Sequence, residues 1–269
     1  MLKNITIGQF FPGNSLIHRL DPRTKLLLTL ALIASVFLSK GFAGFLLVFL
    51  FVLACARSTK IGLKFLVRGL KPILYIVIIT FLLNVFFQSD GKILVRWKFI
   101  TITEGGLQRA AFLAARLILL VTVSQLLTLT TSAISLTDGL ESLMRPLKKV
   151  RFPAHEIAMM MSIALRFIPT LMEEADKIMK AQMARGADFE SGNLFRRAKA
   201  MVPLLVPLFV SAFRRADDLA MAMEARCYRG GEGRTRMKQL HFERIDLYAF
   251  LAVLLLIAGI LVLNAVGVF

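Results

Sequence analysis

Residues 247–269 have the sequence LYAFLAVLLLIAGILVLNAVGVF, a run of 23 residues that contains no charged side chain. A helix that crosses the hydrocarbon core of a bilayer, about 30 Å thick, needs about 20 residues at about 1.5 Å per residue. The run is long enough and apolar enough to meet that requirement. It therefore predicts one transmembrane helix in this part of the chain.

Four further apolar runs extend the same argument to much of the chain. They occupy residues 26–38, 42–56, 73–87 and 117–136. The shorter runs need flanking residues such as Thr24 and Arg57 to reach the headgroups. Lys40-Gly41 predicts a turn between the first two runs, and a single helix over 26–56 is the alternative. The sequence thus predicts an all-α, polytopic membrane protein with about five transmembrane helices.

The composition agrees with a membrane protein and argues against a basic nucleic-acid binder. Hydrophobic residues make up 57% of the chain and charged residues 19%, and the formal net charge is +17. Residues 137–244 hold 19 basic and 13 acidic residues, whereas the remainder holds 15 basic and only 4 acidic residues. Most of the excess charge therefore flanks the apolar runs and does not form a soluble basic face. We expect a membrane region at 1–136, a cytoplasmic helical domain at 137–244 and a last transmembrane helix at 245–269.

The basic residues also predict the orientation of the chain in the membrane. Arg19 and Arg23 precede the first run, and five more basic residues lie within 57–71, after the second run. Because Lys and Arg concentrate on the cytoplasmic side, we expect the N-terminus and the segment 57–71 in the cytoplasm. The three- to four-residue spacing of those five predicts an interfacial amphipathic helix on anionic headgroups. The β-prone segment 93–103 predicts a small external hairpin.

Few side chains offer the chemistry of catalysis or metal binding. Cys55 and Cys227 form no C-x-x-C pair, and the three histidines are far apart. Gly8 and Gly13 have the spacing of a P-loop, but Asn14 stands where a P-loop has lysine. An enzyme site inside the bilayer would need ionisable residues clustered in the spans. We therefore expect no catalytic residue, metal ion or cofactor. A self-contained membrane permease or channel is one functional class that stays open.

Two long helices are predicted in the cytoplasmic domain, over 154–185 and 193–226. Apolar residues recur along each at a spacing of three to four, and Pro169 and Pro207 inside them should bend them. Both helices are rich in Met and apolar on more than one side, so part of their surface should bind another molecule. Their apolar stripes include Met160, Met161, Leu165, Leu205 and Phe209.

A shift of 41 residues superimposes the end of one long helix on the end of the other. Asp176 then corresponds to Asp217 and Arg185 to Arg226, and an alanine precedes all four residues. Each Asp precedes its Arg by nine residues, so it lies about half a turn round the helix and points away from that Arg. Both arginines are therefore available to a carboxylate of another molecule. Two equivalent arginine-bearing helix ends predict a partner that is a pair of similar subunits.

Three motifs together carry a family resemblance. HRLDPRTK occupies 18–25 before the first run, QMARGADF occupies 182–189 and EARCYRGG occupies 224–231. With them the chain resembles, over nearly its whole length, the transmembrane T component of energy-coupling factor (ECF) transporters, which are ABC importers for vitamins and trace metals. The segment GQFFPGNS at 8–15 is more similar to the shared (group II) T components, which serve several S components, than to dedicated cobalt or nickel systems.

The resemblance implies a non-catalytic coupling subunit of the cell membrane. In this family two ABC ATPase subunits hydrolyse ATP, and the Arg of each terminal triplet docks into a groove on one of them. The triplets in this chain are Ala184-Arg185-Gly186 and Ala225-Arg226-Cys227. Cys227 stands where the fuller pattern has Gly, which allows a different helix ending there.

The resemblance also implies a membrane-embedded S component, which binds the vitamin or other micronutrient and topples to release it. The apolar faces of the long helices would hold that subunit, so the residue that selects the substrate would not lie in this chain. The candidate contacts to the S component are Met160, Met161, Leu165, Leu205 and Phe209. The motif residues to which we assign a structural role are Asp21, Pro22, Arg23, Lys25, Pro169 and Pro207.

Overall fold

The structure is a computed structural model that describes residues 10–87, 92–97, 100–189, 193–231 and 239–266. The chain divides into two compact units. We call residues 8–139 with 240–269 the membrane unit, and residues 140–239 the helical unit. The boundary at residue 139 falls inside a helix, and the return at residue 240 precedes the last helix.

Helices of 4 to 32 residues dominate both units. Those of the membrane unit are α1 (Leu16–Arg19), α2 (Pro22–Leu38), α3 (Phe42–Ser58), α4 (Leu63–Phe87), α5 (Glu104–Thr130) and the last helix, α9 (Arg244–Val266). A hairpin of β1 (Ile93–Trp97) and β2 (Ile100–Thr103) lies between α4 and α5. The remaining elements are α6 (Ala133–Met144), the 3₁₀ helix η1 (Arg145–Val150), α7 (Ala154–Ala184) and α8 (Leu194–Ala225).

The prediction of an all-α membrane protein is confirmed. Among the described helices, three are long and apolar enough to cross a bilayer: α5, α9 and the part of α4 from 65 to 87. Helices α2 and α3 have 17 residues each, which is short of the about 20 that a span requires. The total of five spans therefore stays a prediction, because these two helices would need flanking residues to cross.

The predicted turn between the first two apolar runs is confirmed, and the alternative of one helix over 26–56 is wrong. Helix α2 ends at Leu38, and Gly41 is the N-cap of α3. The hydroxyl of Ser39 donates to the carbonyl oxygen of Gly41 (3.4 Å). The guanidinium of Arg116 donates to the carbonyl oxygen of Ser39 (3.1 Å). The bond from Arg116 satisfies the carbonyl group of Ser39, the C-cap residue that the end of α2 leaves without an intrahelical partner.

The segment 57–71 does not form a separate interfacial helix, so that prediction is wrong. Helix α3 extends to Ser58, and residues 63–71 form the first turns of α4, which continues through Pro72. Leu66 and Val77, on either side of the proline, are both buried. Packing on both sides therefore outweighs the helix-breaking effect of the missing N–H.

The fourth apolar run forms a helix that lies further upstream than the predicted 117–136. The side chain of Thr103 accepts a bond from the N–H of Gly106 (3.2 Å), which caps the start of α5. At the other end Thr131 is extended (φ −137°, ψ 128°), and the hydroxyl of Ser132 accepts from the N–H of Ser135 (3.2 Å). Ser and Thr side chains bond nearby backbone groups and so favour caps over helix interiors. The apolar run is therefore divided between α5 and α6.

The hairpin predicted over 93–103 is confirmed. Its strands are antiparallel, with Val95 opposite Ile102 and Trp97 opposite Ile100. The N–H of Glu104 donates to the carbonyl oxygen of Lys92 (2.9 Å), where the hairpin meets α5. The external position of the hairpin stays a prediction.

The core of the membrane unit lies among α2, α3, α5 and α9. Val36, Val48 and Ile260 are fully buried there. The opposite faces of the same helices expose large aliphatic side chains, among them Leu30 and Leu255. Apolar residues on both faces are typical of helices that a bilayer surrounds.

Candidate functional site

Helix α7 ends in a Schellman motif at Arg185. Arg185 is the C-cap residue, and Gly186 adopts the left-handed conformation with φ 86°. The N–H of Gly186 donates to the carbonyl oxygen of Met183 (3.0 Å), and the N–H of Ala187 donates to that of Gln182 (3.0 Å). These two bonds define the motif, which favours glycine because a Cβ is disfavoured at positive φ.

Helix α8 ends in the same motif at Arg226. The N–H of Cys227 donates to the carbonyl oxygen of Glu224 (2.8 Å), and the N–H of Tyr228 donates to that of Met223 (3.0 Å). Cys227 occupies the glycine position with φ 55°, a conformation that costs a non-glycine residue about 1–2 kcal/mol. Cys227 in place of glycine therefore does not change the type of helix ending at this tip. We call the two endings, with Arg185 and Arg226, the arginine tips.

Both tips present an arginine that another molecule can reach. Arg185 and Arg226 are exposed, and neither guanidinium forms an ion pair within the described ranges. The C-terminal end of a helix carries partial negative charge, so a cation is favourable in this position. A guanidinium offers its N–H donors in a planar fork that matches a carboxylate. Each tip is therefore suited to an acidic site on a partner.

An ion pair between α7 and α8 relates the two tips to each other. The guanidinium of Arg215 lies 3.4 Å from the carboxylate of Glu174, and both side chains are partly exposed. The two residues are 41 positions apart, as are Arg185 and Arg226. Each partner precedes the last residue of its helix by ten positions, which is about 15 Å of helix. The two tips thus extend by equal lengths beyond the contact of Glu174 with Arg215. The sequence pattern did not predict this contact.

The segment after the second tip is held by side chains at the start of α7. The hydroxyl of Tyr228 donates to the sulfur of Met159 (3.0 Å) and lies 3.5 Å from Nε2 of His155. The other ring nitrogen of His155, Nδ1, lies 3.0 Å from a carboxylate oxygen of Glu141. Gly231 approaches the same imidazole so closely that a Cβ would lie 2.5 Å from Cδ2. No local pattern predicted this group, because Tyr228 and His155 are 73 positions apart.

The apolar residues predicted on the long helices are accessible. Met160, Met161, Leu205 and Phe209 are exposed, and Leu165 is half-buried. Val202, which belongs to the predicted stripe of α8, is exposed as well, and α8 exposes further large apolar side chains outside that stripe, among them Val206, Val210 and Phe213. Exposed apolar surface of this extent is typical of an interaction site. Pro169 lies within α7 and Pro207 within α8, as predicted.

The motif at 18–25 has a structural role that connects distant parts of the membrane unit. Asp21 is the N-cap of α2, and its carboxylate accepts from the N–H of Arg23 (2.8 Å), while Pro22 occupies the first helical position. The N–H of Asp21 donates to Oδ1 of Asp246 (2.9 Å), and the N–H of Glu243 donates to Oδ2 of the same carboxylate (2.9 Å). The buried Asp246 thus joins the start of α2 to the start of α9.

Arg23 and Lys25, two of the cations of this motif, make further connections. The guanidinium of Arg23 donates to the carbonyl oxygen of Leu240 (2.8 Å) and lies over the ring of Phe242, 4.7 Å from its centroid. The buried ammonium group of Lys25 donates to the carbonyl oxygens of His18 (3.1 Å) and Thr130 (3.0 Å). Lys25 therefore joins the start of α2 to the end of α5.

The described residues contain few candidates for metal or thiol chemistry. They contain no group of three or more His, Cys, Asp or Glu residues that could hold a metal ion. Both cysteines are free thiols. The arrangement that this chain does provide is a pair of equivalent cationic tips beside a large apolar surface.

Comparison with known proteins agrees with the transporter resemblance. Residues 13–237 match the CbiQ family, described as cobalt transport proteins. Over 258 residues the chain is 57% identical to the energy-coupling factor transporter transmembrane protein EcfT of Thermosediminibacter oceani, covering 96% of this chain and 97% of that one. It is 50% identical over 265 residues to the EcfT of Bacillus subtilis, covering 98% of this chain and 100% of the relative. The EcfT of Clostridium kluyveri is 55% identical over 258 residues, or 96% of each chain.

Proposed function

The chain belongs to the family of T components of energy-coupling factor transporters, and we propose that it couples ATP hydrolysis by two partner ATPases to uptake through an S component. Membership of this family makes the chain a transmembrane component of a transporter. The two ATPases, the S component and the coupling between them are the proposal. In it the chain performs no chemical step and holds no cofactor.

The observation that carries the proposal is the equivalence of the two arginine tips. Both helices end in the same Schellman motif, and both tips extend about 15 Å beyond the contact of Glu174 with Arg215. A partner that consists of two similar subunits would offer two similar acidic grooves. Each arginine would bind one groove through paired N–H donors, which fixes the angle of the helix as well as its position.

The exposed apolar faces of α7 and α8 support a second contact, with the S component. Leu205 and Phe209 are exposed on α8, and Met160 and Met161 are exposed on α7. Unbranched methionine side chains adapt to partners of different shape, as a T component shared among several S components would require. This is the group II arrangement that the segment at 8–15 suggests.

The proposed mechanism uses α7 and α8 as rigid rods. When the ATPases close on ATP, their grooves move the arginine tips, and the helices carry the movement to the S component. The common contact between α7 and α8 would keep the two movements in step. The substrate is a vitamin or other micronutrient that the S component selects. The chain would lie in the cell membrane with its N-terminus in the cytoplasm, in keeping with its flanking basic residues.

Purification in mild detergent, followed by reconstitution of defined complexes, tests the proposal. We expect two ATPase subunits and one small, very hydrophobic protein to co-purify with this chain. Liposomes that contain all the components and internal ATP should take up the substrate, and liposomes with this chain alone should not. Uptake by the chain alone would instead indicate a self-contained permease or channel.

A further inference from the structure

We propose that the segment 145–151, formed by η1 and the following Arg151, is a contact site for anionic lipid headgroups at the membrane surface. Its sequence is RPLKKVR. This site is separate from the arginine tips and from the apolar faces of α7 and α8, so it goes beyond the coupling function.

The 3₁₀ geometry sorts the side chains of η1 onto distinct faces. A 3₁₀ helix has about three residues per turn, so residues i and i+3 lie directly above one another. Leu147 and Val150 therefore share one face. Arg145, Lys148 and Arg151 follow one another on a second face, and Lys149 lies on the third. The apolar pair is thus flanked by cations on both sides.

The conformation of the segment is defined at both ends. Pro146 occupies the first turn of η1, where its fixed φ favours the helical start. Arg151 ends the helix in the left-handed conformation (φ 59°), and its N–H donates to the carbonyl oxygen of Lys148 (3.0 Å). The N–H of Phe152 donates to the carbonyl oxygen of Leu147 (3.4 Å). The faces described above therefore belong to a hydrogen-bonded structure.

The apolar face of η1 is open to the surroundings. The side chain of Val150 is 82% exposed and that of Leu147 is 45% exposed. None of the residues of η1 is buried. Contact of aliphatic side chains with water is unfavourable, so a partner molecule or a membrane that covers Leu147 and Val150 would be favoured.

The charge of the segment indicates what covers it. Between Glu141 and Glu156 the chain contains four Lys and Arg residues and no acidic residue. Lys and Arg are attracted to the negative surface of a membrane that contains anionic lipid. The boundary between headgroups and acyl chains accepts exposed aliphatic side chains at the same time. An acidic surface of another protein would match the cations, but it would leave Leu147 and Val150 without an apolar contact.

The position of η1 in the chain is compatible with such a contact. Helix α6 alone separates it from Thr130, the last residue of the apolar helix α5. Because α7 begins at Ala154, only a few residues after η1, an anchored η1 would restrain the start of the first rod. The lipid composition of the membrane would then influence the position of that rod.

A fluorescent label on η1 tests the proposal in the full-length chain. Cys55→Ala and Cys227→Gly remove the native thiols, and Val150→Cys then carries an environment-sensitive NBD group. The labelled chain is placed in nanodiscs of phosphatidylcholine alone or with added phosphatidylglycerol. We expect a blue-shifted emission and quenching by nitroxide-bearing lipids only in the discs with phosphatidylglycerol. Raising the salt to about 1 M, where the Debye length falls to about 3 Å, should reverse both effects.

Two matched variants keep the result specific. Met221→Cys, which replaces a side chain that is 70% exposed near several acidic residues of α8, should stay in a water-like environment in every disc. The triple change Arg145→Gln, Lys149→Gln, Arg151→Asn should weaken the contact of the label at residue 150, about fivefold for each cation removed. Asn is chosen at residue 151 because it tolerates positive φ.

Two outcomes would overturn the proposal. One is an emission at residue 150 that does not depend on anionic lipid or on the triple change. The other is shielding of the label that occurs only when the ATPases are added, which would assign the segment to a protein contact. Neither outcome would affect the docking of the arginine tips, so this test is independent of the proposed function.

Discussion

Glu174 and Arg215 form an ion pair of 3.4 Å between two positions that are 41 residues apart, the same separation that relates Arg185 to Arg226. The contact thus joins equivalent residues of the two helices. Because the repeat places opposite charges at these equivalent positions, the helices attract each other where they meet. Equal lengths of helix lead from this contact to the two tips, which is the geometry that a symmetric pair of partners requires.

Charge reversal at this contact tests whether Glu174 and Arg215 stabilise the two helices as an ion pair. Glu174→Arg or Arg215→Glu alone replaces attraction with repulsion, at a cost of about 1 kcal/mol or less because the pair is partly exposed. We expect each single variant to lower the thermal stability of the purified chain slightly and to lower uptake by the reconstituted transporter. The double variant with exchanged charges should recover both quantities. A double variant that is worse than either single one would contradict a direct pair.

The glycine positions of the two tips should respond in opposite directions to substitution. Cys227→Gly removes a side chain from a residue at φ 55° and should stabilise the end of α8 by about 1 kcal/mol. Gly186→Ala places a Cβ at φ 86° and should destabilise the end of α7 by a similar amount. Nothing lies within 4 Å of the added Cβ of residue 186, so the effect would report backbone strain alone. Thermal denaturation of the two variants measures it, and a stabilising Gly186→Ala would contradict the assignment.

Asp246 should be one of the most sensitive residues of the membrane unit. Its carboxylate accepts two backbone N–H groups, from Asp21 and Glu243, and the residue is only 4% exposed. Asp246→Ala leaves both donors unpaired, at about 1–3 kcal/mol each. Asp246→Asn keeps one acceptor and should lose less. Thermal denaturation in detergent should therefore rank the native chain above Asn and Asn above Ala, and an Ala variant as stable as the native chain would contradict the bridge.

A glycine of α4 tests how closely that helix approaches α5. A Cβ at Gly69 would overlap the side-chain amide of Gln125, which donates to the carbonyl oxygen of Phe65 (3.0 Å). We expect Gly69→Ala to lower the thermal stability of the chain, and the added change Gln125→Ala to restore part of it. Gly259→Ala is the matched control, because its Cβ would make only an ordinary contact with Leu47 at 3.7 Å. Equal losses at residues 69 and 259 would argue against a close approach of α4 and α5.

Local sequence patterns predicted the long helices and the arginine tips. The three- to four-residue periodicity placed α7 and α8 to within two residues at each end, and the 41-residue repeat by itself singled out Arg185 and Arg226. Both signals lie within one helix, where spacing alone determines which face a side chain occupies. Lys40-Gly41 predicted the turn between α2 and α3, because the conformation of a turn also depends on adjacent residues.

Contacts between distant segments could not be predicted in this way. Asp21 and Asp246 are 225 positions apart, and no pattern in either segment indicates that the carboxylate of Asp246 accepts backbone N–H groups at the starts of both α2 and α9. The continuity of residues 63–71 with the rest of α4 was not predicted, because the spacing of the basic residues describes one face of a helix and contains no information on packing against α5. Cys227 was compatible with more than one helix ending, and only the hydrogen bonds of the tip decided between them.

Charge reversal of the two tips tests whether Arg185 and Arg226 bind the ATPases. The measurement is the affinity of purified ATPase subunits for the full chain in nanodiscs, with uptake measured in parallel. Arg185→Glu with Arg226→Glu should weaken binding by about thirtyfold or more, as expected for a lost, desolvated charge pair, and should abolish uptake. Lys180→Glu, a single charge reversal at an exposed position of α7, should leave both unchanged. A double variant that binds both ATPases normally and supports full uptake would contradict the claim.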